Sequence, residues 1–193
     1  MKKIVFATNN SHKLSEVREL LAGKYEVLSP RDVGFEDDVE ESAQTLDGNA
    51  LLKAQALNQA TGLDCFADDT GLEVEALGME PGVRSARYAT SGNDPKANNE
   101  LLLRNLEGVD SRAAQFRTVI ALILDGQKYL FEGIVRGEIT RERFGEQGFG
   151  YDPLFLPEGE AVTFAQMSSE AKGRISHRGR AIAKLVQFLE TKR

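Results

Sequence analysis

Apolar residues recur along the chain in two rhythms, and each change of rhythm marks the edge of an element. Residues 2–8 carry Ile4-Val5-Phe6-Ala7 as one block, the short unbroken run of a buried strand. Residues 11–21 place Leu14, Val17, Leu20 and Leu21 at helical spacing, with Gly23 just beyond as a stop. Residues 24–28 alternate again, so the chain opens strand, helix, strand. Residues 49–60 are rich in Ala and Leu and hold neither Gly nor Pro, which predicts a helix. Residues 63–67 and 72–77 predict strands on either side of Asp68-Asp69-Thr70-Gly71. Asp94-Pro95 starts a further helix whose apolar face is Leu101, Leu102 and Leu106. Residues 116–124 and 128–135 are β-rich and joined by Asp125-Gly126, a hairpin signature. Within the first of these, Val119 to Leu124 does not alternate, which predicts a strand covered on both faces. A short strand is expected at 154–156, and a last helix from about Ser176 that buries Ile182, Leu185, Val186 and Leu189.

This order predicts an α/β fold with one long mixed sheet flanked by helices. The chain has 193 residues, and no repeat, low-complexity linker or composition break divides it, so a single domain over 1–193 is expected. The longest apolar run, Val119 to Leu124, is far too short to span a membrane. The apolar block after Met1-Lys2-Lys3 is likewise too short for a signal peptide. One cysteine, Cys65, excludes an internal disulfide and fits a reducing cytoplasm. Its position beside Phe66 reads as a small buried hydrophobe rather than a nucleophile. A net charge of −6 disfavours long nucleic acid and anionic membrane as partners. The distribution of charge adds to this. Five of the six residues 36–41 are acidic, whereas residues 171–189 hold no acid and include Lys172, Arg174, Arg178, Arg180 and Lys184.

Four segments can carry chemistry. Thr8-Asn9-Asn10-Ser11-His12-Lys13 joins a strand to a helix start, where free N–H groups and the helix dipole favour an anion. Lys13 adds a charge there, and Asn tolerates the left-handed backbone of a phosphate-cradling turn. An ordinary polar cap at Ser11 explains the same residues, and the Walker A pattern is absent. Asp68-Asp69-Thr70-Gly71 sets two carboxylates side by side. A continuing strand would send them to opposite faces, whereas a turn at Thr70-Gly71 would let both face one Mg²⁺. An Asx turn is the plainer alternative. Gly148-Phe149-Gly150-Tyr151-Asp152-Pro153 flanks an aromatic ring with glycines, leaving a face on which a base could stack. Lys172-Gly173-Arg174-Ile175-Ser176-His177-Arg178 gathers donors at another helix start. Neither histidine has a partner at zinc-ligand spacing.

Taken in order, these segments resemble the non-canonical purine nucleoside triphosphate pyrophosphatases, also called inosine triphosphate or dITP/XTP pyrophosphatases. The motifs are Thr8-Asn9…Lys13, Asn49-Ala50…Lys53-Ala54, Ala67-Asp68-Asp69-Thr70-Gly71-Leu72, Pro81-Gly82-Val83…Ser85-Ala86-Arg87-Tyr88, Gly148 to Pro153 and Ile175-Ser176-His177-Arg178-Gly179. They extend over nearly the whole chain. The resemblance implies an elongated sheet with two lobes and a central nucleotide-binding cleft, in a homodimer. It implies Mg²⁺-dependent cleavage of ITP, dITP and XTP to the monophosphate and pyrophosphate. By the same resemblance, Thr8, Asn9, Asn10, Lys13 and Lys53 would handle the triphosphate. Asp69 would be the general base, and Glu41 with Asp69 would hold Mg²⁺, assisted by Asp68. Thr70, Phe149, Gly150, Tyr151, Asp152, Lys172, His177 and Arg178 would bind the nucleotide. The chain departs from the family pattern around Glu41-Ser42-Ala43, Thr45-Leu46 and Gly48-Asn49-Ala50, so Glu40 competes with Glu41 as a ligand. The first loop also lacks a glycine frequent there. The nearest alternative is a Maf-like pyrophosphatase for modified pyrimidine nucleotides, which the Ser-His-Arg motif speaks against. A non-catalytic nucleotide sensor is the alternative of a different class, disfavoured by the Asp68-Asp69 pair.

Overall fold

In a computed structural model describing residues 2–192, the strand and helix rhythms resolve into seven strands and five helices. The order is β1 (Lys2–Phe6), α1 (Ser11–Leu20), β2 (Tyr25–Leu28), α2 (Leu46–Thr61), β3 (Cys65–Val74), β4 (Glu80–Gly82), α3 (Pro95–Asn105), β5 (Ala113–Leu124), β6 (Gln127–Ile139), β7 (Phe155–Pro157), α4 (Ser169–Ile175) and α5 (His177–Thr191). The sheet runs β2-β1-β3-β5-β6-β7, with β4 on β3. It is mixed as expected: β1 is parallel to β2 and β3, while β3–β4 and β6–β7 are antiparallel. No helix among the described residues is long and apolar enough to cross a membrane.

Contacts divide the chain into two units. The first holds residues 1–69, 118–133 and 178–193; the second holds 70–117 and 134–177. The divisions fall inside β3, β5 and β6, so three strands contribute to both.

In the first unit, side-chain alternation splits the sheet's two faces between different helices. Ile4 and Phe6 of β1, Phe66 of β3, and Ile120 and Leu122 of β5 pack with Val17 of α1, Leu21 at its C-cap, and Ala181, Ile182, Leu185 and Leu189 of α5. Their neighbours Val5, Ala7, Cys65, Ala67, Ala121 and Ile123 pack instead with Ala50, Ala54 and Leu57 of α2. This is why Val119 to Leu124 is apolar throughout: both faces of β5 are covered. Phe6 and Phe66 stack with centroids 4.6 Å apart, fixing the register of β1 on β3.

The second unit has one core, in which Leu72, Val74, Phe116 and Val135 of the sheet meet Leu102 and Leu106 of α3 and Tyr151, Leu154, Phe155 and Phe164. Gly71 lies where β3 and β4 press together. A Cβ there would stand 2.6 Å from the Gly82 carbonyl oxygen, so only glycine permits the pairing.

Several boundaries differ from the sequence expectation. Residues 68–71 form no turn but the middle of a continuous ten-residue strand. Beyond them the strand pairs with β4 at Leu72, Glu73 and Val74, a partner that local propensity could not reveal. Helix α2 starts at Leu46, before the expected 49, because the Thr45 side chain accepts the Gly48 N–H at 3.1 Å and caps it. Helix α4 was not expected at all. Its seven residues are too few for a periodic apolar face, and Ser168 caps it through the Ala171 N–H. The hairpin turn is as expected, Asp125 and Gly126 having φ of 50° and 73°.

Candidate active site

Register places the first loop beside the carboxylate pair. Val5 and Phe6 align with Cys65 and Phe66, and the Ala7 N–H donates to the Phe66 carbonyl at 2.7 Å. Beyond that point β1 turns into α1 while β3 runs on to Asp68. The loop is capped by Asn10 rather than Ser11: its Oδ1 accepts the Lys13 N–H at 3.1 Å, and Thr8 Oγ1 accepts the Asn10 N–H at 3.2 Å. Asn10 has a φ of −82°. Outside glycine, positive φ among the described residues occurs only at Met79 and Asp125, so the expected left-handed Asn is not used.

The alternation that sorts apolar residues also sorts the two acids. Asp68 has the parity of Phe66 and faces α1 and α5. Its Oδ1 accepts from Lys13 Nζ at 2.9 Å and its Oδ2 from Arg178 Nε at 3.0 Å. Arg178 also donates to Glu16, one helical turn beyond Lys13. Asp68 and Arg178 are each only 1% exposed, so the pair is desolvated. Burial alone would raise the Asp68 pKa; Lys13, Arg178 and Lys53 outweigh it and hold the carboxyl well below the usual range. For Lys13 burial wins, and its pKa is lowered despite Asp68.

Asp69 has the parity of Ala67 and faces α2. Lys53 Nζ lies 3.7 Å from its Oδ1 and donates to Glu41 Oε1 at 2.6 Å. Burial lifts the Asp69 pKa, Lys53 and Lys13 oppose, and Glu41 and Asp68 add to the rise; the net direction is upward. For Lys53, burial would lower the pKa, but Asp69, Asp68 and Glu41 together raise it. Glu41 is fixed by its loop, because buried Asn49 of α2 accepts the Ala43 N–H at 2.9 Å. Glu40, the competing ligand, is exposed, and it is Glu41 that reaches Lys53.

Among the described residues no three His, Cys, Asp or Glu side chains are gathered as a metal site. What exists is a pair of carboxylates, Glu41 and Asp69, with a cationic ammonium beside both. That donor set fits a hard divalent ion that takes its remaining ligands from water and phosphate. Asp68, expected to assist the metal, is engaged by Lys13 and Arg178 on the other face of the strand.

In the second unit the glycine-flanked loop is tied through Asp152. Its Oδ2 accepts the Phe149 N–H at 2.9 Å and Lys172 Nζ at 2.7 Å. Lys172 in turn lies 4.9 Å from the Phe149 ring centroid, over one face of the ring expected to be open. Gly148 has φ of 72°, and a Cβ there would stand 2.1 Å from the same Asp152 oxygen. Tyr151, expected at the nucleotide, is buried with its hydroxyl donating to the Ser85 carbonyl at 2.6 Å. His177 is buried and stacks on Phe116, centroids 4.5 Å apart. Thr70 follows Asp69 in β3. The sequence reading thus missed Glu16, Asn49 and the Ser85 contact. Glu16 left its i, i+3 spacing from Lys13 as a signal, while Asn49 and Ser85 stood within motifs of the resemblance with no role attached.

The parallel pairing of β1 with β3 thus ends at a carboxylate–ammonium cluster beside a capped helix start, in an α/β sheet. The chain belongs to the Ham1 family, whose model matches residues 4–188. It is 53% identical over 190 residues to a dITP/XTP pyrophosphatase of Porphyromonas gingivalis, covering 98% of both chains. A protein of the same name from Flavobacterium psychrophilum is 48% identical, with 97% of this chain and 99% of the other covered. Among solved structures, the Ham1 protein of Staphylococcus aureus superposes with a TM-score of 0.89 at 42% identity, each chain covered completely.

Proposed function

We propose that this protein hydrolyses ITP, dITP and XTP to the nucleoside monophosphate and pyrophosphate, with residues 1–193 acting as one catalytic domain. The names of the relatives support the reaction. The single observation that carries the site is Asp69: a mostly buried carboxylate of raised pKa beside a lysine and a second carboxylate. A carboxylate in that setting is more basic than usual, which suits removal of a proton from water by its ionised form.

The residues divide the work by chemistry. Lys13, Lys53 and the Thr8–Asn9–Asn10 loop bind the triphosphate, the two ammonium groups offsetting charge that builds on the departing pyrophosphate. Asp69 orients the water and takes its proton. Glu41 and Asp69 would hold Mg²⁺, and the chemistry a bound ion supplies is neutralisation of phosphate oxygens. Asp68 acts at one remove, locking Lys13 and Arg178 in place. No covalent enzyme intermediate is required.

Base choice is assigned to the Phe149–Gly150–Tyr151–Asp152 loop with Lys172 and His177. A 6-oxo purine offers an acceptor where adenine offers a donor, so a site rich in donors rejects adenine by leaving its own groups unpaired. Support for a homodimer in the cytoplasm comes from the family resemblance and the lone buried thiol.

The deciding measurement is pyrophosphate release from ITP, GTP and ATP, with and without Mg²⁺, for the wild type and Asp69→Asn. The expected outcome is strong preference for ITP, dependence on the metal, and a loss of at least about 10²-fold in the variant. Equal rates on all three nucleotides would overturn the substrate assignment. A near-normal Asp69→Asn rate would remove Asp69 as base.

A further inference from the structure

The loop expected to hold the base is intrinsically loose, because glycines at 148 and 150 flank Phe149 and impose little restriction of their own. A ring can serve as a stacking platform only if the peptides on both sides are fixed before the ligand arrives. One tie is already described, the Phe149 N–H on Asp152. The second comes from α3. The Asn99 side-chain Nδ2 donates to the Gly150 carbonyl at 2.9 Å and to the Pro95 carbonyl, one turn back in its own helix, at 2.6 Å.

Both amide hydrogens of Asn99 are therefore spent on carbonyls, which fixes the orientation of the amide group. The cost lies at the other end. Asn99 is 1% exposed, and its Oδ1 is buried without a hydrogen-bond partner among the described residues. Adjacent Asn98, equally buried, uses both ends of its amide: Oδ1 accepts the Ala89 N–H at 2.8 Å and Nδ2 donates to the Ala86 carbonyl at 3.0 Å. Asn98 is explained by folding alone. At Asn99 a leucine would fill similar space with no stranded acceptor, so what the asparagine adds is its grip on Gly150.

We infer that Asn99 is a positioning residue for base recognition: it locks the Gly150 peptide and so holds Phe149 as a preformed platform for a purine. A trans peptide is planar, so fixing the Gly150 carbonyl also fixes the direction of the Tyr151 N–H. Without Asn99 the Phe149–Tyr151 segment samples other peptide orientations, and substrate binding must select the competent one. Binding weakens while the phosphate chemistry, built by other residues, is untouched. This inference rests on the proposed reading that the 148–152 loop recognises a purine.

The test compares Asn99→Leu and Asn99→Ser with Leu102→Ala, a cavity in the same helix and core that leaves both hydrogen-bond ties of the loop in place. Steady-state kinetics with ITP and GTP and thermal unfolding are measured for each. For Asn99→Leu the expected result is a KM for ITP raised about tenfold with kcat within about twofold, and a compressed ITP-to-GTP preference. Asn99→Ser, which keeps one donor, falls between. Leu102→Ala loses stability with KM unchanged. An unmoved KM in the asparagine variants, or a KM rise in Leu102→Ala equal to theirs, overturns the inference. So does failure of both asparagine variants to fold where Leu102→Ala folds, since Asn99 is then structural. A wild type inactive on ITP sinks the underlying reading instead, and the two failures are distinct.

Discussion

At Asp69 burial raises the proton affinity of the carboxyl, Lys53 and Lys13 restrain the rise, and Glu41 and Asp68 reinforce it. A base must be ionised to accept a proton. Its raised pKa belongs to the site without a bound cation, where the carboxyl gives up its proton at higher pH than an ordinary carboxylate. A carboxyl titration of the metal-free protein followed by NMR should place Asp69 above the ordinary carboxylate value, and a titration at that value or below would contradict this setting. One residue earlier the sign reverses. Asp68 is held low by Lys13 and Arg178 against the burial penalty, so it contributes stability above its unfolded pKa that is lost as pH falls through the folded one. Arg178→Met strands this carboxylate and should cost about 3–5 kcal/mol in denaturant unfolding. It should also bring acid unfolding to higher pH, because the folded Asp68 pKa rises. That two carboxylates stand side by side was legible in the sequence. Which partner each one meets was not, because for Asp68 a lysine and an arginine 55 and 110 residues away supply the answer.

At the scale of elements, the site depends on strand parity and on tight turns. Had β3 broken at Thr70-Gly71, Asp68 and Asp69 could have faced one ion; the strand instead runs on, extended, into its pairing with β4 from Leu72, which parts them. In the second unit the turn at Gly148 is equally constrained. Gly148→Ala meets both a backbone of positive φ and the Asp152 carboxylate, whereas Gly159→Ala meets positive φ with open space around it. Both should lose about 1–3 kcal/mol from backbone strain. Only Gly148→Ala should also displace Asp152 from Phe149 and Lys172 and raise the KM for ITP. Equal kinetics in the two variants would separate that loop from substrate binding. Helices α1 and α2 were legible from their spacing. Helix α4 was not, since seven residues make too little pattern, and its stability comes from a serine cap and the packing of Lys172 and Ile175.

Across the whole molecule, the basic and acidic stretches separate by function. The run from 36 to 41 is largely exposed, and one member, Glu41, turns inward to an ion pair. The basic run from 172 to 180 is split between the two units, Lys172 serving the loop in one and Arg178 the carboxylate in the other. The sequence by itself determined the order of elements, the apolar strands covered on both faces, the motifs of the Ham1 family, and which residue types could carry phosphate chemistry. These are local properties, set by spacing and side-chain chemistry. Only the tertiary structure decided that Asp68 is a buried structural anion and Asp69 the basic one, that Glu41 rather than Glu40 points inward, and that Asn99 holds Gly150. Each of these depends on the desolvation and charge that distant segments bring to a side chain once the chain has packed, and no local window of sequence contains them.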